Sequence, residues 1–193
     1  MKKQLLPLLC LFSLLLIPAG CGQNDESGAR AEAQKFMNAF YTVDKATAEQ
    51  YANAMAQVRR GADSAASTAS SGMTGVMTFD VPALDAIGVQ LKPLMTAEAF
   101  KSMQQDRRYT DNVQYAQQSR SSIKLHSVSL KTTQQLNEYI DFDYTAEIEV
   151  TAKDGKTQVT VEQGGVSAAE AAGQWKIQDI RVTLPSKLLH DAS

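Results

Sequence analysis

Two side chains of this sequence have the chemistry for acid–base catalysis. His126 carries an imidazole, the group that most often serves as a general acid or base in enzymes, and Tyr144 carries the only polar atom on the apolar face of a long predicted strand. A group that lines an apolar pocket is desolvated, which shifts its pKa and can suit it to proton transfer. His126 shares the strand phase of Val128, so it could line such a pocket together with Tyr144. A structural role for His126 is the alternative, because no partner for it is visible in the sequence.

The other titratable side chains favour solvation. Asp141 and Asp143 alternate with apolar residues and fall on the opposite strand face from Tyr144, where carboxylates stay in water. Asp179 and Arg181 predict a weak surface ion pair. His190 lies in a short C-terminal tail and is expected to be exposed.

No metal, cofactor or nucleic-acid site is predicted. Two cysteines and two histidines are few for a metal centre. Gly164-Gly165 has no helix signal after it, so nucleotide binding is not supported. The balance of 19 basic against 21 acidic residues argues against a nucleic-acid binder. The basic pairs Arg59-Arg60 and Arg107-Arg108 are interpreted as solvated helix ends.

Cys21 stands at the end of a segment with the layout of a transport signal. Lys2-Lys3 forms a charged start, and the run Leu5–Ile17 is almost wholly apolar. That run is too short for a free-standing transmembrane helix, which needs ~20 apolar residues. Pro18 ends the helix of this run, and the small residues Ala19-Gly20 precede the cysteine.

This segment resembles a bacterial lipoprotein signal peptide with its lipobox, except that Pro18 stands where an aliphatic residue is usual. The resemblance implies removal of residues 1–20 and attachment of lipid to Cys21, which would hold the protein at the extracytoplasmic face of a bacterial cell membrane. An ordinary secretory signal is the alternative. Loss of Lys2-Lys3 lowers the 19 basic residues to 17 against 21 acidic ones, so the mature charge would be −4. Cys10 leaves as well, so no thiol remains for a disulfide.

The first part of the mature chain has helical periodicity. Residues 21–28 predict a lipidated cysteine and a solvated tether. The next helix, over about 29–42, has one apolar face, and Asp44 is the predicted N-cap of a second helix. Small residues from Gly61 predict a loose loop over about 61–80. The apolar face of the first helix consists of Ala33, Phe36, Met37 and Phe40.

The middle of the chain predicts one more helix and then a change of period. Thr96 is a predicted N-cap, with Phe100 and Met103 toward the core, and residues 111–119 are expected to form a loop. From Ser122 onward apolar residues recur every second position. This phase slips at His126-Ser127, which predicts a β-bulge.

A long strand and a hairpin are predicted next. Ile140 to Val150 alternates strictly between apolar and polar residues, which is typical of an antiparallel strand with one wet face. Asp154-Gly155 indicates a two-residue hairpin turn. Residues 164–173 are expected to be a connection before a last strand over 174–184, with a phase slip between Ile177 and Ile180. The predicted hairpin register pairs Lys153 with Lys156, Val150 with Val159, and Ile148 with Val161.

Helices first and an antiparallel meander last define an α+β class. The chain resembles the nuclear transport factor 2-like superfamily through its opening helix, the helix after Thr96 and the Gly-x-Trp-x-Ile segment that starts at Gly173. The resemblance implies N-terminal helices packed on a bent antiparallel β-sheet meander, a cone that would span 29–185 as one domain before a tail at 186–193. The same cone hosts enzymes, adaptors and structural proteins, so function stays open.

The leading hypothesis is a membrane-anchored extracytoplasmic lipoprotein that acts as a non-catalytic binding or assembly module. Its partners would be membrane lipid through Cys21 and a small ligand or protein at the cone or the sheet face. One alternative is a small-molecule isomerase-like or dehydratase-like enzyme that uses His126 and Tyr144 in the cone pocket. Another is a component of a conjugation or secretion apparatus.

Overall fold

The computed structural model describes residues 26–68, 86–106, 108–136, 138–186 and 189, with 62–68 described by backbone alone. The predicted signal segment, Cys21, His190 and residues 69–80 of the predicted loose loop lie outside these residues. The rest of that predicted loop, 61–68, is helical instead. The helices are α1 (Glu26–Phe40), α2 (Lys45–Thr68), α3 (Ala97–Asp106) and α4 (Asp111–Ser119), with short 3-10 turns at Val89–Leu94 and Arg108–Thr110. The strands are β1 (Ser122–Gln135), β2 (Tyr139–Thr151), β3 (Thr157–Ala171) and β4 (Gln174–Leu184).

The four strands form one open antiparallel sheet in the order β1-β2-β3-β4. The helices pack with this sheet around a shared apolar core. The α+β class and the cone-like arrangement of helices on an antiparallel meander are therefore confirmed. The inner face of β2 is the floor of the core, and all six of its side chains are at most 5% exposed: Ile140, Phe142, Tyr144, Ala146, Ile148 and Val150.

Helix α1 buries its predicted apolar face but starts earlier than the sequence indicates. The tether was expected to extend to residue 28, whereas Glu26 already opens the helix. Glu26 Oε1 accepts hydrogen bonds from Arg30 at 2.5 Å and from the Thr132 hydroxyl at 2.8 Å. Arg30 also donates to the Leu130 carbonyl at 2.5 Å, and its guanidinium lies 5.1 Å from the Phe142 ring centroid. These contacts between α1 and the sheet order the last residues of the predicted tether.

Both predicted N-caps are confirmed. Asp44 Oδ1 accepts a hydrogen bond from the Thr47 backbone N–H at 2.8 Å, and this bond lowers the pKa of Asp44. Thr96 Oγ1 accepts from the Ala99 N–H at 3.2 Å. Each bond satisfies a donor that the first turn of a helix would otherwise leave unpaired. The Thr96 N–H itself donates to the Ile177 carbonyl at 2.9 Å, so the start of α3 is tied to β4.

The prediction of a loop at 111–119 is wrong, because this segment is helix α4. Its sequence is polar, yet Asn112, Val113 and Ala116 are buried. Asn112 Nδ2 donates to the Phe40 carbonyl at 3.3 Å, which lets a polar side chain lie in the interface with the end of α1. Helix α4 packs on the core with few apolar residues, because it is short and because one of its buried side chains, Asn112, is a hydrogen-bonded amide.

The β2–β3 hairpin exists, but its predicted register is wrong by one residue. Ala152 pairs with Lys156 through an N–H···O bond of 2.8 Å, and the Gly155 N–H donates to the Ala152 carbonyl at 2.9 Å. This is a three-residue loop that ends in a left-handed glycine, with φ 81° at Gly155. A one-residue shift turns every side chain of β3 to the other face. Val159 and Val161, expected inside, are accordingly 56% and 44% exposed.

The expectation that 164–173 is a connection is also wrong. Strand β3 continues through Gly164-Gly165 to Ala171, and a two-residue turn at Ala172-Gly173 leads into β4. The two predicted phase slips are confirmed as β-bulges. One lies between Leu125 and Ser127 of β1, and the other lies in β4 opposite the Ser167–Ala168 step.

The predicted tail contributes to the core. Ser186 is 2% exposed and Leu189 is 5% exposed. The Leu189 N–H donates to the Ser186 carbonyl at 3.2 Å, and the Leu189 side chain belongs to the apolar core. The folded part of the chain therefore extends past residue 185, where the sequence placed its end.

The β3–β4 turn allows a test of backbone strain. Ala172 has φ 52° and Gly173 has φ 75°, the left-handed pair of a type I′ turn that favours Asn-Gly. We expect Ala172→Asn to raise the free energy of unfolding by about 0.5–1 kcal/mol, measured by thermal or urea denaturation.

Gly173→Ala is the matched control and should lower stability by about 1 kcal/mol. No atom lies within 4 Å of the added Cβ at that position, so its effect reports the backbone alone. Equal or lower stability of Ala172→Asn would contradict the assigned turn.

Candidate functional site

Three polar side chains meet inside the cone. Tyr41 follows α1 directly, Tyr144 lies on the inner face of β2, and Glu162 lies on the inner face of β3 beside Ala146. Their exposures are 0%, 2% and 1%. We call these three residues the Tyr–Glu cluster. Gly164 faces Tyr144 across the strands, and its lack of a side chain leaves room for the Tyr144 ring.

The hydrogen bonds of the Tyr–Glu cluster run in one direction. The Tyr41 hydroxyl donates to Glu162 Oε2 at 2.8 Å, and the hydroxyls of Tyr41 and Tyr144 are 3.0 Å apart. A phenol has one proton to donate, so Tyr144 must be the donor to Tyr41. The chain Tyr144 → Tyr41 → Glu162 therefore directs both phenolic protons toward the carboxyl group.

The C-terminal segment covers the other side of the carboxyl group. The Ser186 backbone N–H donates to Glu162 Oε1 at 3.2 Å, and the hydroxyls of Ser186 and Thr160 are 2.6 Å apart. Both oxygens of Glu162 are thus engaged within the protein. An unpaired buried carboxyl group would cost several kcal/mol, and these bonds offset that cost.

Burial raises the pKa of both tyrosines. At Tyr144 desolvation is the main cause, the hydrogen bond with Tyr41 opposes it and the nearby Glu162 adds to it, and together they raise the pKa of Tyr144 to about 12. At Tyr41 desolvation again comes first, with added repulsion from Tyr144 and Glu162, and the pKa lies far above its ordinary value. Both phenols therefore stay protonated at any physiological pH, which preserves the direction of the hydrogen bonds.

Sequence reasoning missed Glu162 because it assumed the wrong hairpin register. Val159 and Val161 favoured their own face as the inner one, which put Glu162 in solvent. A signal for the correct face was present further along β3. Val166 and Ala168 are apolar and share the phase of Glu162 if the strand runs without interruption through Gly164-Gly165. Interpreting the two glycines as a connection removed that signal.

The structure separates the two predicted catalytic candidates. His126 is the extra residue of the β1 bulge and is exposed, while Tyr144 is buried. His126 lies beside the Glu147–Ile148 step of β2, which is three to four residues from Tyr144, or about 10–13 Å along the strand. The expectation that His126 lines the cone is wrong because the bulge places two residues between the inward-facing Leu125 and Val128.

The remaining polar candidates lie at the surface or the sheet edge. Asp143 is exposed and Asp141 is half-buried on the outer face of β2. The predicted ion pair between Asp179 and Arg181 is confirmed at 3.4 Å. Arg108 differs from its predicted role as a solvated helix end, because it donates to the Ile180 carbonyl at 2.8 Å. Its neighbour Arg107 lies outside the described residues.

A cleft of about 320 Å³ lies between α2 and α4 beside Arg59 and Arg60, and two further concave surfaces border the sheet. One, of about 640 Å³, lies between the start of α2, the end of α4 and the β2–β3 turn. The other, of about 410 Å³, lies between Phe40, Arg108 and the end of β4. Within the described part of the chain, no three His, Cys, Asp or Glu side chains are grouped so that they could hold a metal ion. None of the described helices has the length and apolar character needed to cross a bilayer.

The raised tyrosine pKa values predict an alkaline limit to stability. Above pH 10 the unfolded chain releases its phenolic protons while the folded chain keeps those of Tyr41 and Tyr144. Stability should therefore be intact below pH 10 and fall between pH 10 and about pH 12, by up to ~1.4 kcal/mol per pH unit for each tyrosine. Denaturation midpoints measured against pH give this slope.

Tyr144→Phe should reduce the slope, because it removes one of the two phenols whose pKa is raised. Absorbance at 295 nm should show that at least two of the six tyrosines resist ionisation until the protein unfolds. Ionisation of all six near pH 10 in the folded state would contradict the Tyr–Glu cluster.

The two glycines of β3 provide a matched pair for the packing around Tyr144. A Cβ at Gly164 would lie 1.9 Å from the Arg181 carbonyl oxygen and 2.8 Å from the Tyr144 hydroxyl. A Cβ at Gly165 would lie 3.4 Å from the flexible Arg181 side chain and 3.8 Å from the Phe142 carbonyl oxygen, which are ordinary contact distances. Gly164→Ala should destabilise by about 1–3 kcal/mol or more, and Gly165→Ala by less than about 0.5 kcal/mol. Similar melting temperatures for the two variants would contradict the close packing of Gly164 against Tyr144 and Arg181.

No family model and no curated protein matches the chain. A solved structure that is similar to it is the intermembrane space region of the chloroplast protein ARC6, at 16% sequence identity and a TM-score of 0.36. That similarity covers 50% of this chain and 78% of the other. A similarity at this level carries no argument, so function has to be argued from the residues themselves.

Proposed function

We propose that the protein is a lipid-anchored extracytoplasmic binding module whose cone interior is structural. The observation that carries this proposal is the Tyr–Glu cluster, in which the one carboxyl group on the inner sheet face is engaged by Tyr41 and by the Ser186 backbone. Every buried polar side-chain atom of the described residues has a hydrogen-bond partner. A general acid or base needs access to its substrate, and these groups face each other instead.

The energetics favour the same interpretation. Glu162, Tyr41 and Tyr144 are each at most 2% exposed, so a ligand could reach them only if packed parts of the domain moved, such as the C-terminal segment at Ser186 and Leu189. Displacement would uncover the buried Leu189 side chain and leave the carboxyl group without its backbone donor, which costs several kcal/mol. A binding function is therefore better placed on the outer surfaces of the domain.

The lipid anchor is proposed from the sequence around Cys21, and the fold adds a consequence. Residues 22–25 separate Cys21 from the first turn of α1, so the connection could reach at most about 18 Å. The start of α1 is bonded to Thr132 near the end of β1. An anchored domain would therefore keep this end toward the membrane and present the opposite end, with the β2–β3 turn, to the surroundings.

The anchor can be tested with a matched pair of cysteine variants. Cells that express the full chain and are fed an alkyne-tagged fatty acid should incorporate the label into the protein. Cys21→Ser should abolish incorporation, and Cys10→Ser should leave it unchanged, because residue 10 would be removed with the signal. Intact mass of the purified protein should show a chain that begins at Cys21 and carries lipid. Full labelling of Cys21→Ser, or an unmodified mature N-terminus, would refute the anchor.

A further inference from the structure

We propose that the cleft between the start of α2, the end of α4 and the β2–β3 turn binds a small organic anion with two negative charges. We call it the distal cleft, because it lies at the opposite end of the domain from the first turn of α1. Its volume is about 640 Å³. This inference rests on the proposed binding function and is independent of the lipid anchor.

The shape of the distal cleft suits a small ligand with an apolar body. The facing surfaces of α2 and α4 carry alanines there, and these small side chains leave space between the two helices. Polar groups of the β1 start and of the end of β2 form the opposite wall, where Ser121 is buried and its hydroxyl is 2.6 Å from that of Ser119. The alanines that line the cleft are Ala48, Ala52, Ala116 and Ala152.

The charges around the cleft are mainly positive. Lys45 comes from α2, Arg120 from the end of α4 and Lys153 from the β2–β3 turn, and Glu49 is the only carboxylate among the lining residues. Glu49 is 3.7 Å from Lys45, and both side chains are mostly solvated. Among the described residues, none places a carboxylate within ion-pair distance of Arg120 or Lys153. Arg120 and Lys153, which come from separate elements, thus line one cavity, and neither forms an ion pair with a carboxylate of the described residues.

The backbone of Arg120 is the second observation. Arg120 caps the C-terminus of α4 with φ 53° and ψ 39°, in the left-handed region where glycine is the favoured residue. An arginine there is strained relative to glycine, although its charge interacts favourably with the negative end of the helix dipole. Strained backbone positions occur often at binding sites. The position of Arg120 at the rim of the cleft gives the side chain a role in ligand binding.

The second surface cleft differs in its charge balance. Its Arg108 is 2.7 Å from Asp106 and 3.6 Å from Asp179, and Arg181 is 3.4 Å from Asp179. The basic groups of that cleft are already neutralised by carboxylates of the protein. The cleft between α2 and α4 takes both of its cations, Arg59 and Arg60, from one helix. The distal cleft, whose cations come from separate elements, is therefore the better candidate for an anion with two charges.

The ligand class follows from these features. Two cations on different walls favour a ligand with two negative charges, or one doubly charged group, and the alanine floor favours a short apolar body. Dicarboxylates and phosphate monoesters share this chemistry. Guanidinium and ammonium groups both form charge-assisted hydrogen bonds with such oxyanions.

The test uses the full chain in detergent with adipate and phenyl phosphate as probes, and titration calorimetry at low salt. We expect saturable binding of at least one probe, weakened by added salt because the site is exposed. Arg120→Gly and Lys153→Ala should each weaken binding about tenfold. The control Lys131→Ala, on the outer face of β1 opposite Asp143, should leave binding unchanged.

Two further measurements make the outcome decisive. Arg120→Gly should melt at the same or a higher temperature than the parent, so loss of binding cannot be attributed to unfolding. Glu49→Gln should tighten binding about two- to fivefold, because it removes the repelling charge. Absence of saturable binding, or equal weakening by Lys131→Ala and Arg120→Gly, would overturn the proposal. Acylation of Cys21 without anion binding would refute the distal cleft alone and leave the lipid anchor in place.

Discussion

The fold depends on how one carboxyl group is accommodated. Glu162 lies on the inner face of β3, where a charged or polar group is costly unless it is fully hydrogen-bonded. The residue after α1 supplies one donor through the Tyr41 hydroxyl, and the segment after β4 supplies another through the Ser186 N–H. The first helix, the central strands and the C-terminal segment are therefore all constrained by the same side chain.

This constraint connects turn chemistry to the interior. The three-residue loop that ends at Gly155 sets the β2–β3 register, and the register alone determines whether Glu162 or Val161 faces the helices. The observed register leaves Val159 and Val161 exposed and buries Glu162, an arrangement that local hydrophobicity would disfavour. It is compensated by the tyrosine hydrogen bonds and by Gly164, which gives the Tyr144 ring its space. A filled, hydrogen-bonded interior of this kind is consistent with a domain that binds at its surface.

Much of the fold could be predicted because its signals are local. The apolar face of α1, the caps at Asp44 and Thr96, the alternation of β2 and the two β-bulges each depend on residues near in sequence. Helix α4 was not predictable in this way, since one of its buried positions is the amide Asn112, whose partner is the distant carbonyl of Phe40. Ser186 and Leu189 were missed for a similar reason, because their burial requires the finished sheet.

The sequence by itself determined the α+β order of elements and the presence of the hairpin, because periodicity and turn residues act over a few positions. It also carried the lipobox-like segment at Cys21, whose role remains a proposal. Only the tertiary structure decided which face of β3 is buried and that His126 and Tyr144 lie apart. It also brought Lys45, Arg120 and Lys153 to one cleft. These outcomes depend on a one-residue register and on contacts between distant segments, such as Tyr41 and Glu162, which are 121 residues apart. No local pattern encodes either.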